Sequence, residues 1–334
     1  MTANRAFRLA SGTRTSINGQ IMIEVDRVTK RYGEKVAVEN LTFTVRPGIV
    51  TGFLGPNGAG KSTTMRMIVG LDAPTAGSVA VNGRSYRSFR APLHEVGAML
   101  EARAIHTGRS AYHHLLAMAQ THGIARSRVD EVIDLVGLRD VARKRVGGFS
   151  LGMGQRLGIA AALLGDPGTL ILDEPGNGLD PEGILWIRNL LRGLAAEGRT
   201  VFLSSHLMGE IAQTAEHVIV VGRGRLIADT SVEDLVAQAS LDAAVRVRTP
   251  DATALRGALV AEGAVVEGAE PGLLEVHGMP SARIGELAAR TGTVLHELTP
   301  MTASLEEAFI QLTRNAVEYS AATPPAAERV EAAA

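Results

Sequence analysis

The chain has 334 residues, with 34 Lys and Arg against 35 Asp and Glu, a formal net charge of −1. That length accommodates one large domain or two ordinary ones, and the near-neutral balance gives no field to hold a nucleic-acid backbone. Apolar residues make up 46% and charged residues 21%, which supplies a core and excludes general disorder.

The longest stretch free of Asp, Glu, Lys and Arg, residues 110–125, contains His113, His114 and His122. It falls short of the roughly 20 apolar residues that a membrane span needs. Cysteine is absent, so disulfides, thiolate metal sites and cysteine nucleophiles are excluded together; this is compatible with a reducing compartment. Residues 1–21 carry Arg5, Arg8 and Arg14 without an acid or a continuous apolar core, and read as a flexible tail, not a signal peptide.

From residue 21 to 239, strand-like and helix-like runs alternate. Residues 21–28 and 41–45 read as strands, and 49–54 as a short apolar strand entering a Gly-rich turn and a helix from 61 to about 69. Residues 102–146 read as helical, with 110–122 and 129–136 the clearest segments. The strand 169–172, the helix 181–196, the strand 200–204, a short helix from Met208 and the strand 217–221 follow. Apolar strands alternating with helices predict a parallel sheet covered on both faces, here interrupted by a helical subdomain.

After about residue 240 the pattern changes to strand 244–249, helix 251–262, strands near 265 and at 273–276, helix 281–290, strand 294–298 and helix 304–313. The order β-α-β-β-α-β with a final helix predicts a small ferredoxin-like α/β domain. Pro324, Pro325 and many alanines make 316–334 a disordered tail. The expected division is a tail (1–21), an α/β core (22–240, helical subdomain about 102–165), an accessory domain (241–315) and a second tail (316–334).

Gly55-Pro56-Asn57-Gly58-Ala59-Gly60-Lys61-Ser62-Thr63 fits the phosphate-binding pattern G-x-x-x-x-G-K-[ST] and lies after a strand and before a helix. Its glycines let successive N–H groups turn inward onto phosphate oxygens, and the helix N-terminus adds its positive dipole end. Lys61 suits the β- and γ-phosphates and the Ser62 hydroxyl suits Mg²⁺. The apolar run 169–172 ends in Asp173 and Glu174, at the sheet edge where ligands bind. Asp173 is the candidate for Mg²⁺, and Glu174 for orienting or deprotonating an attacking water.

At this point the chain resembles the ATP-binding subunits of ABC transporters, over about residues 22–239. Phe149-Ser150-Leu151-Gly152-Met153 resembles the family signature, usually Leu-Ser-Gly-Gly-Gln; Ser150 and Gly152 match it, Leu151 and Met153 do not. Ser150 can cap a helix over 151–164, creating a second anion-binding helix terminus. The resemblance implies that this signature closes over the nucleotide of a partner subunit. Tyr32 matches the aromatic residue that stacks on adenine, Asp180 in Asn177-Gly178-Leu179-Asp180 matches the acid of the loop joining the two sites, and His206 matches the switch histidine that senses the γ-phosphate. Where the family usually has Gln after 96–100, this chain has Glu101, which can approach Mg²⁺ but cannot donate a hydrogen bond as an amide does. Its part as a metal contact stays open, and the loop itself is implied to connect to a membrane partner.

What the resemblance implies is a P-loop NTPase core of ABC type, an Mg²⁺-dependent ATP hydrolase. It implies a homodimer, or a heterodimer with a related ATPase subunit, peripheral on the cytoplasmic face of the membrane through a separate transmembrane permease. The variant signature, Glu101 and the α/β tail resemble ATPase subunits of bacterial drug and antibiotic exporters, so the expected cargo is a drug, an antibiotic or another amphipathic compound. The alternatives are a soluble ABC ATPase not coupled to transport and an importer subunit. Against them stand a single cassette, a Ser150 only 95 positions after Gly55, and a tail pattern unlike a regulatory β-barrel. A non-enzymatic nucleotide sensor would have no need of Glu174.

Overall fold

Alternating apolar residues produce a long antiparallel hairpin at the start of the computed structural model, which describes residues 22–101, 105–240 and 244–313. The two expected tails and residues 102–104 lie outside the described residues. Strand β1 (Ile23–Tyr32) buries Ile23, Val25 and Val28, and β2 (Lys35–Val45) buries Val38, Leu41, Phe43 and Val45. Strand β3 (Val50–Leu54) and helix α1 (Lys61–Ile68) follow, and β4 (Ala76–Val81) pairs with the other edge of β1 to give the order β2-β1-β4.

The chain then forms β5 (Val96–Met99), α2 (Ala111–Thr121), α3 (Arg126–Leu135), α4 (Leu151–Leu163), β6 (Thr169–Asp173) and α5 (Pro181–Ala196). After these come β7 (Thr200–Ser204), α6 (Met208–Thr214), β8 (His217–Gly222), β9 (Arg225–Ser231) and α7 (Val232–Ser240). The six-stranded sheet has the order β5-β6-β7-β3-β8-β9 and is parallel except for β9. Strands β3 and β7 are buried throughout, as expected for central parallel strands covered on both faces. Phe43 of the antiparallel sheet meets Phe53 and Phe202 of the parallel one, with ring centroids 5.6 and 5.8 Å apart, so aromatic packing joins the two sheets.

Helices α2, α3 and α4 bury Leu115, Val129, Val132, Leu157 and Leu163 in a core continuous with one face of the parallel sheet. Segment 96–99, to which the sequence assigned no element, is β5, the parallel edge strand beside β6. Strands β4 and β9 and helix α7 were not foreseen either.

The last part of the chain contains β10 (Val245–Arg248), α8 (Ala252–Ala261), β11 (Val265–Glu270), β12 (Leu273–His277), α9 (Ser281–Thr291), β13 (Glu297–Pro300) and α10 (Leu305–Thr313). Its four strands form an antiparallel sheet of order β11-β12-β10-β13. Leu255, Leu259, Ile284 and Leu287 of α8 and α9 pack with Val245, Val247, Leu274 and Val276 of the sheet. Helix α10 does not belong to that core. Leu305 and Ala308 are buried with Met208, Ile211, Leu235 and Ala239, and the Ala303 N–H donates to Ser240 Oγ at 2.9 Å. The expected unit 241–315 therefore loses its final helix to the main core, because the apolar stripe of α10 covers α6 and α7. Among the described residues, no helix is long and apolar enough to cross a membrane.

Candidate functional site

The C-terminal ends of β3, β6 and β7 lie level with one another, since Phe53 pairs with Ser204 and Ser204 with Asp173. The loop from Gly55 to Gly60 leaves this edge and enters α1. Gly60 is the N-cap of α1, with φ 97°, and a Cβ there would lie 2.7 Å from the Ala37 carbonyl oxygen, so only glycine fits. No side chain caps this helix, whereas Ser110, Ser150 and Asp180 cap α2, α4 and α5. The first-turn N–H groups of α1 thus remain available to an anion.

Lys61 Nζ donates to the Gly55 carbonyl at 2.6 Å and to that of Pro56 at 3.3 Å, folding the ammonium over the loop. Burial pushes its pKa below the ordinary lysine range, against the pull of the Glu174 and Asp173 carboxylates. Ser62 Oγ donates to Asp173 Oδ2 at 2.8 Å. A hydroxyl beside a carboxylate is the hard oxygen set of a Mg²⁺ site completed by phosphates and water, so these residues fit the ion. Among the described residues, no cluster of three or more His, Asp or Glu side chains offers a metal cage made of protein alone.

Glu174 is held at its backbone and at one carboxylate oxygen. Its backbone is left-handed, with φ 53°, a strained conformation for a side chain with a Cβ. The Glu174 N–H donates to the Ser204 carbonyl at 3.2 Å and to Ser204 Oγ at 3.1 Å, while its carbonyl accepts from Gln155 Nε2 at 2.7 Å. Its Oε2 accepts from the His206 N–H at 3.3 Å and faces His206 Nδ1 at 2.6 Å, which places the imidazole proton on Nδ1. Ser204 Oγ also donates to Asp173 Oδ1.

Ser204 and Gln155 are thus site residues that received no role from sequence reasoning. The parallel register opposing Asp173 and Ser204 is the signal for the first. For Gln155 the only sign is a polar side chain, 3% exposed, on a mostly apolar helix.

The structure brings Lys61, Ser62, Asp173, Glu174 and His206 together. It places the other candidates around them. The Tyr32 hydroxyl donates to Asp72 at 3.0 Å beside the Thr63 hydroxyl; Lys30 lies over one face of its ring, and the residue is half exposed. Ser150 Oγ caps α4 by accepting from the Met153 N–H at 3.2 Å, and a Cβ on Gly152 would lie 2.8 Å from the Gly178 carbonyl oxygen. Asp180 Oδ1 caps α5 by accepting from the Gly183 N–H at 2.9 Å. Among the described residues, neither the Ser150 nor the Asp180 side chain hydrogen-bonds to the phosphate loop. Glu101 is exposed after β5; its charge is felt by Arg66, and it shares no hydrogen bond with Ser62 or Asp173.

A family model described as ABC transporter matches residues 38–177, spanning the phosphate loop, the signature and the two acids. The chain is 42% identical over 217 residues to the bacitracin transport ATP-binding protein BcrA of Bacillus licheniformis, covering 64% of this chain and 71% of that one. The chain belongs to the ABC transporter ATP-binding family. It is thus an ABC ATPase, and hydrolyses ATP. Similarity to the Nod factor export ATP-binding protein I of Burkholderia pseudomallei, at 35% identity, extends over 87% of this chain and 96% of that protein. Among solved structures, the dimeric bacterial ABC transporter cassette MJ0796 superposes with a TM-score of 0.59 at 25% identity, over 63% of this chain and 98% of that one. A second model, a domain of unknown function (DUF8746), matches residues 243–306, the antiparallel-sheet unit.

Proposed function

We propose that this ABC ATPase energises export of an antibiotic or another amphipathic compound through a separate transmembrane permease, binding two MgATP between two copies of itself or with a related ATPase subunit. The relatives named for bacitracin transport and Nod factor export support the direction and the class of cargo. The open antiparallel sheet after residue 244, in the strand order of a ferredoxin-like domain, supports the exporter reading over an importer with a β-barrel. The subunit then sits on the cytoplasmic face of the membrane, bound to the permease. The working domains are the cassette at 22–240, with its helical subdomain to about 165 and α10 seated on it, and the accessory sheet before α10.

The observation that carries the hydrolytic reading is the pinned Glu174 carboxylate, bonded to His206 beside the Ser62–Asp173 pair. Backbone N–H groups from Gly55 to Thr63 and the Lys61 ammonium hold the β- and γ-phosphates. Ser62 and Asp173 would hold Mg²⁺, which would supply positive charge to the phosphate oxygens. Glu174 orients a water in line with the γ-phosphorus and accepts its proton as the new P–O bond forms and the bond to the ADP oxygen breaks. His206 keeps the carboxylate aimed and responds to the γ-phosphate. Tyr32 offers its free face to adenine. Ser150, Gly152 and Asp180 act on the partner's nucleotide; the Ser150 and Asp180 side chains cap their own helices and make no hydrogen bond to the phosphate loop of the same chain among the described residues.

The test is to co-express this chain in an antibiotic-sensitive host with the transmembrane permease that co-purifies with it. Cells carrying the pair should tolerate more bacitracin-like or lanthionine peptide than cells whose ATPase carries Lys61→Ala. Equal tolerance across a panel of amphipathic antibiotics would remove the exporter reading.

A further inference from the structure

Glu210 lies in the first turn of α6, four residues after His206, and the reaction just described does not use it. Its carboxyl group is pressed against the loop between Glu174 and Asp180. A Cβ on Gly176 would lie 2.7 Å from Glu210 Oε2 and 3.2 Å from Oε1. Oε2 also accepts from Ser205 Oγ at 3.4 Å, and Ser205 Oγ in turn accepts from the Leu207 N–H at 3.0 Å. Oε1 is buried and has no hydrogen-bond partner among the described residues. An acid on a short helix near solvent has easier places to put its carboxyl group, so its position needs a reason.

The strain at Glu174 supplies one. A left-handed glutamate persists only where its surroundings over-determine the backbone. Ser204 and Gln155 fix the two peptide groups of Glu174, and His206 fixes its carboxylate. Two residues further on, Gly176 is buried, and the side chain closing over it is Glu210. We propose that Glu210 is a positioning residue for hydrolysis: by packing on Gly176 and bonding to Ser205, it locks the His206 turn to the loop running from Glu174 to Asp180. That loop joins the acid serving this chain's nucleotide to the acid facing the partner's. Glu210 therefore ties the aim of Glu174 to the placement of Asp180. The proposal rests on the reading of Glu174 and His206 given above.

Burial pushes the Glu210 carboxyl above the usual carboxylate range, and the nearby Glu174 charge pushes the same way, against Ser205 and His206. A carboxamide keeps the size of the carboxyl group and still offers an acceptor oxygen to Ser205, so Glu210→Gln separates geometry from charge.

The experiment measures turnover, KM, affinity for a fluorescent ATP analogue with Mg²⁺, and melting temperature for full-length Glu210→Ala and Glu210→Gln, with Glu174→Gln alongside. In Glu210→Ala, kcat should fall by roughly 10- to 100-fold, the scale of a small misplacement of a reacting group. Its analogue affinity and KM should stay within about threefold of the parent, and Glu210→Gln should recover most of the lost kcat. Parental turnover in Glu210→Ala would overturn the proposal. So would a parallel loss of turnover, nucleotide binding and melting temperature, which would mark a purely structural residue. A Glu210→Gln variant as slow as Glu210→Ala would overturn it in favour of a role for the ionisable proton. Activity in Glu174→Gln would instead remove the reading beneath the proposal, and so tells the two failures apart.

Discussion

Replacing Leu305 by alanine tests whether the last helix is structurally part of the ATPase core. Leu305 is 3% exposed and sits in one apolar cluster with Met208, Ile211, Leu235 and Ala239, on the helices behind the His206 turn. Removing its buried methyl groups leaves a cavity between α10 and α6/α7, at a cost of about 3 kcal/mol. In a cooperative unit of this size, that loss lowers the melting temperature by roughly 6–12 °C. Calorimetry with and without MgATP identifies the cassette's transition as the one that the nucleotide raises. Leu305→Ala should lower that transition. Leu255→Ala, in the separate core beneath the antiparallel sheet, should leave it in place and weaken the other unit. A Leu305→Ala variant that shifts only the transition that Leu255→Ala shifts would place α10 outside the ATPase core. The same packing bears on truncation: a chain cut after Ser240 should still bind ATP, but should melt lower than one that retains α10.

Three further outcomes follow from the site. Lys61→Ala should lose turnover and bind ATP weakly in equilibrium titration, because the main countercharge on the phosphates is gone; parental turnover would remove the phosphate-loop assignment. Ser204→Ala should lower kcat by roughly 10- to 100-fold, since a hydrogen bond to a charged group contributes ~1.5–3 kcal/mol and this hydroxyl serves both Asp173 and the Glu174 N–H; an unchanged kcat and Mg²⁺ dependence would show that Ser204 does not set the geometry. Tyr32→Ala should weaken ATP binding roughly tenfold, whereas Tyr32→Phe should stay close to the parent, because aromatic stacking on a base is worth ~1–3 kcal/mol and needs no hydroxyl. Equal affinities for Tyr32→Ala and the parent would move adenine elsewhere.

The phosphate loop and the two acids were legible because their chemistry dictates both residue type and spacing. A strand, a run of glycines and Lys61 opening a helix leave little freedom to the backbone. The C-terminal β-α-β-β-α-β order was legible for a different reason, since its strands and helices alternate at regular intervals. Strand β5 escaped because four residues, one of them Gly97, carry too short an apolar run to be told from a loop. Strand β9 escaped because it is a partly exposed edge strand with mixed polarity. The apolar face of α10 was visible in sequence, but an amphipathic stripe does not say which surface will cover it. Gln155, Ser204 and Glu210 act on Glu174 or its loop from other segments, and only the fold brings them there.

Glu174→Gln tests Glu174 as the proton acceptor most directly. The substitution keeps the side chain's size, removes a negative charge near the γ-phosphate and leaves a poor proton acceptor. Steady-state hydrolysis should drop by at least roughly 10²-fold. With Lys61, Ser62 and Asp173 as the proposed MgATP ligands left intact, size-exclusion chromatography with light scattering should find a dimer accumulating in ATP but not in ADP. Hydrolysis at the parental rate would contradict the assignment of Glu174.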